Sequence, residues 1–185
     1  MKRFFDVVSA IFGLIVLSPL LILTMVMIKI ESPGPVIFKQ KRPTLNNRLF
    51  DIYKFRSMKI DTPNVATDLI DSKSFITRTG KVIRKTSIDE LPQLINVLKG
   101  DMSVVGPRPA LFNQYELIEK RTQANIHTIR PGLTGLAQVM GRDNITDNEK
   151  VAYDRYYLNN QSAMLDMFII YKTIKNIITS EGVHH

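Results

Sequence analysis

The chain contains no cysteine, so neither a disulfide framework nor a thiolate metal site can form. It has no glycine-rich phosphate loop and no dinucleotide fingerprint, which argues against a Walker nucleotidase or a Rossmann domain. Internal repeats and low-complexity tracts are missing too. Acids are scarce relative to bases: 17 Asp and Glu stand against 25 Lys and Arg, for a net charge of +8. That excess favours anionic partners, whether phosphates, nucleic acid or acidic lipid. At 185 residues the chain is one domain, long enough for a real core.

What it does have is a long apolar run, from Val7 to Ile28, with Lys2 and Arg3 before it and Lys29 closing it. The run is long enough to cross a bilayer core as a helix. A cleaved signal peptide is disfavoured, because Lys29-Ile30-Glu31-Ser32-Pro33-Gly34-Pro35 offers no small-residue cleavage site. A simple transmembrane helix is the default by hydropathy. Two features favour a helix that dips in and returns. Ser18-Pro19 interrupts the middle of the run, where proline removes a backbone hydrogen bond and Ser18 can satisfy a freed carbonyl. Basic residues at both ends also want both ends on the cytoplasmic side.

After the Ser32-Pro33-Gly34-Pro35 turn, Val36-Ile37-Phe38 and Leu49-Phe50-Asp51-Ile52-Tyr53 read as short strands of a hairpin around 43–47. The stretch from Lys39 to Lys59 is rich in Lys and Arg with Phe50, Tyr53 and Phe55 between them. It suits a nucleic-acid-binding ribbon or a phosphate-facing surface beside a membrane anchor, and the anchor favours the second. Residues 61–73 read as a polar loop, 110–123 as a helix with Leu111, Tyr115, Leu117 and Ile118 on its apolar side, and 151–158 as a helix carrying Asp154. His127, a lone histidine, reads as structural. Arg130-Pro131-Gly132-Leu133-Thr134-Gly135 reads as a turn, and Gly141-Arg142-Asp143-Asn144 opens a polar loop. Met164, Met167, Phe168, Tyr171, Ile174 and Ile178 share one helical face, fit for a core or for the membrane interface.

The chain turns on Arg84 to Gln93, which leads through Leu91, Leu94, Ile95 and Leu98 at helical spacing to Gly100 and then to Gly106-Pro107-Arg108-Pro109. Ser87 with Glu90 resembles a capping box, but that start puts Pro92 inside the helix. Asp89 as N-cap places Pro92 in the first turn and is preferred. It sets a carboxylate at the positive end of a helix dipole, held ionised, with Glu90 turned to another side. Arg84 and Arg108 flank the pair and suit phosphate contact.

Together these stretches resemble the monotopic phosphoglycosyl transferases, or bacterial sugar transferases. The likeness runs through Lys2-Arg3-Phe4-Phe5-Asp6, Ser18-Pro19, Ser32-Pro33-Gly34-Pro35, Lys54-Phe55-Arg56-Ser57-Met58, Asp89-Glu90-Leu91-Pro92-Gln93, Val105-Gly106-Pro107-Arg108-Pro109 and Arg130 to Gln138. It covers nearly the whole chain and is closest to small, catalytic-domain-only enzymes that begin capsular polysaccharide repeats. Thr44 stands where the family often has glycine, and Leu136 where it often has tryptophan.

The resemblance implies an α+β, mainly helical fold: a re-entrant membrane helix over 1–31, then a catalytic domain over 32–185 with a small β-hairpin and amphipathic interfacial helices. It implies a bacterial cell-membrane enzyme, on the cytoplasmic face, that moves a sugar-1-phosphate from a UDP-sugar to polyprenyl phosphate and releases UMP. The sugar expected is an N-acetylated amino or deoxyamino sugar, although no residue selects one. Asp89 matches the nucleophile that forms an aspartyl phosphosugar, and Glu90 the acid that binds Mg2+. Lys54, Arg108 and Asp154 match further substrate-site positions; Arg56, Arg84, Arg130 and Arg142 join them on charge alone. Expected partners are the two substrates, membrane lipid, and a second copy or glycan-assembly enzymes, with no nucleic acid. Direct transfer in a ternary complex, a membrane-tethered nucleic-acid-binding module and a catalytically degenerate scaffold are the rival readings.

Overall fold

The computed structural model describes residues 1–60, 62, 75–141 and 145–179. Apart from Thr62, the expected loop over 61–73 lies outside them, as do 142–144 with Arg142 and the tail after 179.

The N-terminal run folds as two helices, α1 (Lys2–Val16) and α2 (Ser18–Glu31), bent by 62° at Leu17. Pro19 falls in the first turn of α2, where a missing N–H breaks no helical bond, so the chain bends just before it. Ser18 Oγ donates to the Ile15 carbonyl at 2.7 Å, taking up an acceptor exposed at the bend. Among the described residues no single helix is long and apolar enough to cross a membrane, whereas the bent pair meets that test together. One side of the pair is buried: Ala10 packs with Phe50, Ile52, Leu94, Val97 and Met102, and Ile28 packs with Phe55 and Ile83. The other side, with Phe4, Phe12, Ile15, Ile22, Leu23 and Ile30, is exposed.

The hairpin consists of β1 (Ile37–Pro43) and β2 (Leu49–Phe55), antiparallel from Ile37 opposite Phe55 to Pro43 opposite Leu49. Its 3₁₀ turn, Leu45–Asn47, places Asn46 and Asn47 at positive φ, conformations asparagine tolerates. Thr44 is extended there, so the turn does not need a glycine at that position. Then come α3 (Arg78–Lys85) and α4 (Gln93–Lys99), the latter ended by Gly100 in the left-handed region at φ 88°.

Two short strands, β3 (Ser103–Val105) and β4 (Gly132–Thr134), pair in parallel. The stretch from Arg130 to Gly135, read above as a turn, therefore contains a strand. Three residues are too few to show alternation, and the pairing rests on glycine: a Cβ on Gly132 would stand 2.1 Å from Gly106 N. Helix α5 spans Tyr115–Gln123, five residues shorter at its start than expected, and Tyr115 is exposed rather than on its buried side. Residues Leu136–Met140 form α6 and Asp147–Asn159 form α7, which begins earlier than expected because Thr146 and Glu149 close a capping box.

Helix α8 (Ala163–Thr179) turns Leu165, Ile169 and Ile170 inward against Val105, Leu136 and Tyr157. Its expected apolar face points outward: Met164 is 85% exposed, Met167 64% and Tyr171 64%. That face is no core face.

The N-terminal helix pair is fastened to the elements around the acidic stretch. Asp6 is buried and accepts bonds from Ser103 Oγ and Val104 N, each at 2.9 Å. Arg3 donates to the Val97 and Leu98 carbonyls at the end of α4. At the far end of α2, Glu31 accepts the first free N–H groups of α3, from Arg78 at 2.6 Å and Thr79 at 2.8 Å. Both helices flanking the acidic stretch are thus held by α1 or α2.

Candidate active site

Asp89 and Glu90 lie in a 3₁₀ turn, Ile88–Glu90, between α3 and α4. Ser87 adopts φ 57°, reversing the chain out of α3, and its side chain caps nothing. Helix α4 starts only after Pro92, so Asp89 is not its N-cap. The proline again sits where no N–H is required; the whole acidic turn has moved ahead of the helix. The dipole expected to hold Asp89 ionised is therefore displaced, and burial decides instead.

Glu90 faces inward between two cations. Its Oε1 accepts Lys54 Nζ at 2.7 Å and Arg108 Nη2 at 2.7 Å, and its Oε2 accepts Arg108 Nη1 at 3.3 Å. Burial alone would push this carboxyl up, but Arg108 and Lys54 hold it well below the usual carboxylate range. Asp89 is different. Among the described residues its carboxylate accepts no hydrogen bond and forms no ion pair at salt-bridge distance. Burial, then the neighbouring Glu90 charge, pushes it up to about 6, against the pull of Lys54, Arg84 and Arg108. Two adjacent acids thus have opposite characters: one neutralised by contact, the other half-buried and unbonded in a cationic setting.

Lys54 comes from β2, Arg84 from the last turn of α3 and Arg108 from the loop after β3. These three of the expected substrate-binding residues converge on the pair. Arg56 is turned away: it is buried and donates to the Pro33 and Ser32 carbonyls and to Ser32 Oγ, clasping the turn that follows α2. Arg130 donates through Nε to the Gly100 carbonyl at 2.8 Å. Asp154, 1% exposed, accepts Arg121 Nη2 at 2.6 Å and Nε at 3.0 Å. Arg121 also donates to the Arg108 carbonyl at 2.7 Å, so Asp154 reaches the pair only through another side chain. Sequence reasoning missed Arg121; the signal for it is that a carboxylate on the buried face of α7 needs a cation.

A sequence profile of bacterial sugar transferases matches residues 1–180. The chain belongs to that family. It is 43% identical over 183 residues to an uncharacterised sugar transferase, EpsL, of Bacillus subtilis, covering 99% of this chain and 90% of that protein. It is likewise 43% identical to the UDP-N-acetylgalactosamine-undecaprenyl-phosphate N-acetylgalactosaminephosphotransferase of Aeromonas hydrophila, over 98% of this chain but 44% of the relative. The galactosyl transferase CpsE of Streptococcus agalactiae is 43% identical over 98% of this chain and 43% of its own length. The chain therefore spans nearly all of one relative and less than half of two others.

The family member's two acids should titrate far apart. In metal-free protein, carbon-13 NMR of the side-chain carboxyls should place Asp89 near pH 6, with Glu90 still ionised well below its ordinary range. An Asp89 midpoint near the ordinary value of about 4 would contradict the buried, unbonded setting.

Proposed function

We propose that this family member transfers a sugar-1-phosphate from a UDP-sugar to polyprenyl phosphate at a membrane surface, releasing UMP, as the first membrane step of surface-glycan synthesis. The observation that carries the reading is the division of labour in the acidic pair: Glu90 is bound by Lys54 and Arg108, while Asp89 beside it is unbonded. A carboxylate is a competent covalent nucleophile at phosphorus. At neutral pH, above about 6, Asp89 is largely the anion and needs no general base.

In the first step an Asp89 Oδ forms a bond to the sugar-bearing phosphorus and the bond to the bridging oxygen breaks, so UMP leaves with the electron pair. In the second, a phosphate oxygen of polyprenyl phosphate attacks the same phosphorus and returns Asp89 to its carboxylate. Arg84, Lys54 and Arg108 lower the charge that accumulates on the phosphoryl oxygens, which is most of what such a transfer requires.

Magnesium fits this reading. Glu90 stays ionised and offers hard oxygen donors; its Oε2 accepts one long bond, at 3.3 Å, and keeps lone-pair capacity for a cation. Among the described residues no group of three or more His, Cys, Asp or Glu is placed to hold a metal, so substrate oxygens would complete the shell, as magnesium commonly requires. Bound there, it would neutralise diphosphate charge.

The outward apolar faces of α1, α2 and α8 are the reason to put the reaction at a membrane. Phe12 and Ile15, Ile22 and Ile30, Met164 and Tyr171 together expose more apolar surface than single scattered residues explain. A bent pair whose two ends remain on one side would let a soluble nucleotide sugar and a lipid phosphate reach one site. Lys2→Cys and Ser32→Cys, introduced into this cysteine-free chain, should then both label from the cytoplasmic side; labelling of position 2 only from outside means the pair spans.

The reaction itself is tested by UMP release with a panel of UDP-sugars and polyprenyl phosphate, both varied. Parallel initial-rate lines and loss of turnover in EDTA, restored by magnesium, are expected. Intersecting lines favour direct transfer in a ternary complex, and full activity in EDTA removes the ion.

A further inference from the structure

Arg108 sits in a loop, Gly106-Pro107-Arg108-Pro109, with no regular structure of its own. Prolines on both sides of it cannot donate backbone hydrogen bonds, so the loop's acceptors must be satisfied from elsewhere. They are, one by one. The Pro107 carbonyl accepts Gly132 N at 2.9 Å, the Arg108 carbonyl accepts Arg121 Nη1 at 2.7 Å, and the Pro109 carbonyl accepts Arg42 Nη1 at 3.0 Å. Three consecutive carbonyls are held by three separate segments: β4, α5 and β1. The two arginines are themselves fixed, Arg121 by buried Asp154 and Arg42 by Gln40 Oε1 at 2.8 Å.

We propose that Arg42 and Arg121 are positioning residues that fix the backbone at Arg108 and its neighbour Pro109, and so aim the Arg108 guanidinium at Glu90, with Asp154 acting through Arg121. The inference rests on the reading of the Glu90 cluster given above. Its physical basis is restraint of a flexible charge. Arg108 has a long side chain that is 46% exposed, and such a side chain holds one geometry poorly unless its backbone is fixed. Gathering three guanidinium groups is unfavourable, and burial, then the charge of Arg108, brings Arg42 down to about 10. Arg42 remains charged at neutral pH. A neutral donor would satisfy the Pro109 carbonyl at lower electrostatic cost; the charge makes the bond the stronger, charge-assisted kind.

The test is a double-mutant cycle on UMP release, joined to a readout that needs no turnover. Arg42→Met and Arg121→Lys should each lower kcat/KM for the UDP-sugar by about tenfold or more, as misaimed groups do, with the native fold retained by circular dichroism and the melting point lowered by the weakened buried contacts. Placed in an Arg108→Ala background, each should cost less than about twofold, because its target is gone. Nitrogen-15 NMR of the Arg108 guanidinium should show slowly rotating Nη groups in the wild type and averaged ones in both variants. Equal losses in both backgrounds, with the Arg108 signals unaltered, overturn the proposal and assign Arg42 and Arg121 to substrate or to the fold. If Arg42→Met does not fold, Arg42→Lys, which keeps charge and a donor, takes its place in the same cycle. A wild type that releases no UMP sinks the functional reading alone, since the guanidinium spectra still decide the positioning.

Discussion

A carboxylate taken out of water must be paired, and the structure answers that constraint for Glu90 with Lys54 and Arg108. The three residues come from a strand, a 3₁₀ turn and a proline-bounded loop, so one electrostatic requirement ties together segments that apolar packing of Ile88 with Phe55 and the Arg42–Pro109 bond also hold close. Among the described residues Asp89 has no such partner. Burial raises its pKa, and the charge that Glu90 keeps beside it raises it further. The pair is unequal because its surroundings are.

The N-terminal helix pair belongs to the same construction. Glu31 at the end of α2 closes the start of α3, and Arg3 near the start of α1 closes the end of α4. These are the helices immediately before and after the acidic turn. A helix pair that exposes apolar side chains on one side and terminates the supporting helices on the other fixes the position of Asp89 relative to that apolar face. The buried Asp6 contact to β3 does the same for the loop that carries Arg108.

Much of this was legible from residues with a local meaning. Ser18-Pro19 announced the bend, Gly100 the end of α4, and the strands around 43–47 the hairpin. The parallel pair of β3 and β4 was not legible, because three-residue strands show no period and their pairing depends on glycine contacts distant in sequence. The spacing to Pro92 points to a helix cap at Asp89, but it does not reveal the left-handed Ser87 that moves the turn ahead of the helix. Charge alone selected Arg56 and Arg130, yet an arginine serves backbone carbonyls as readily as phosphates, and only the fold separates the two uses. Arg121 was invisible for the converse reason: its partner lies 33 residues away on another helix.

The central claim is that the unbonded acid of the pair is the one that reacts. It is tested most directly by incubating the protein with UDP-sugar and magnesium without lipid, then mapping intact mass and peptides. A UMP burst of at most one equivalent per chain and one added phosphosugar on the peptide carrying Asp89 are expected, both absent in Asp89→Asn. An adduct on Glu90 or Asp154, or lipid-dependent turnover with neither burst nor adduct, would contradict it.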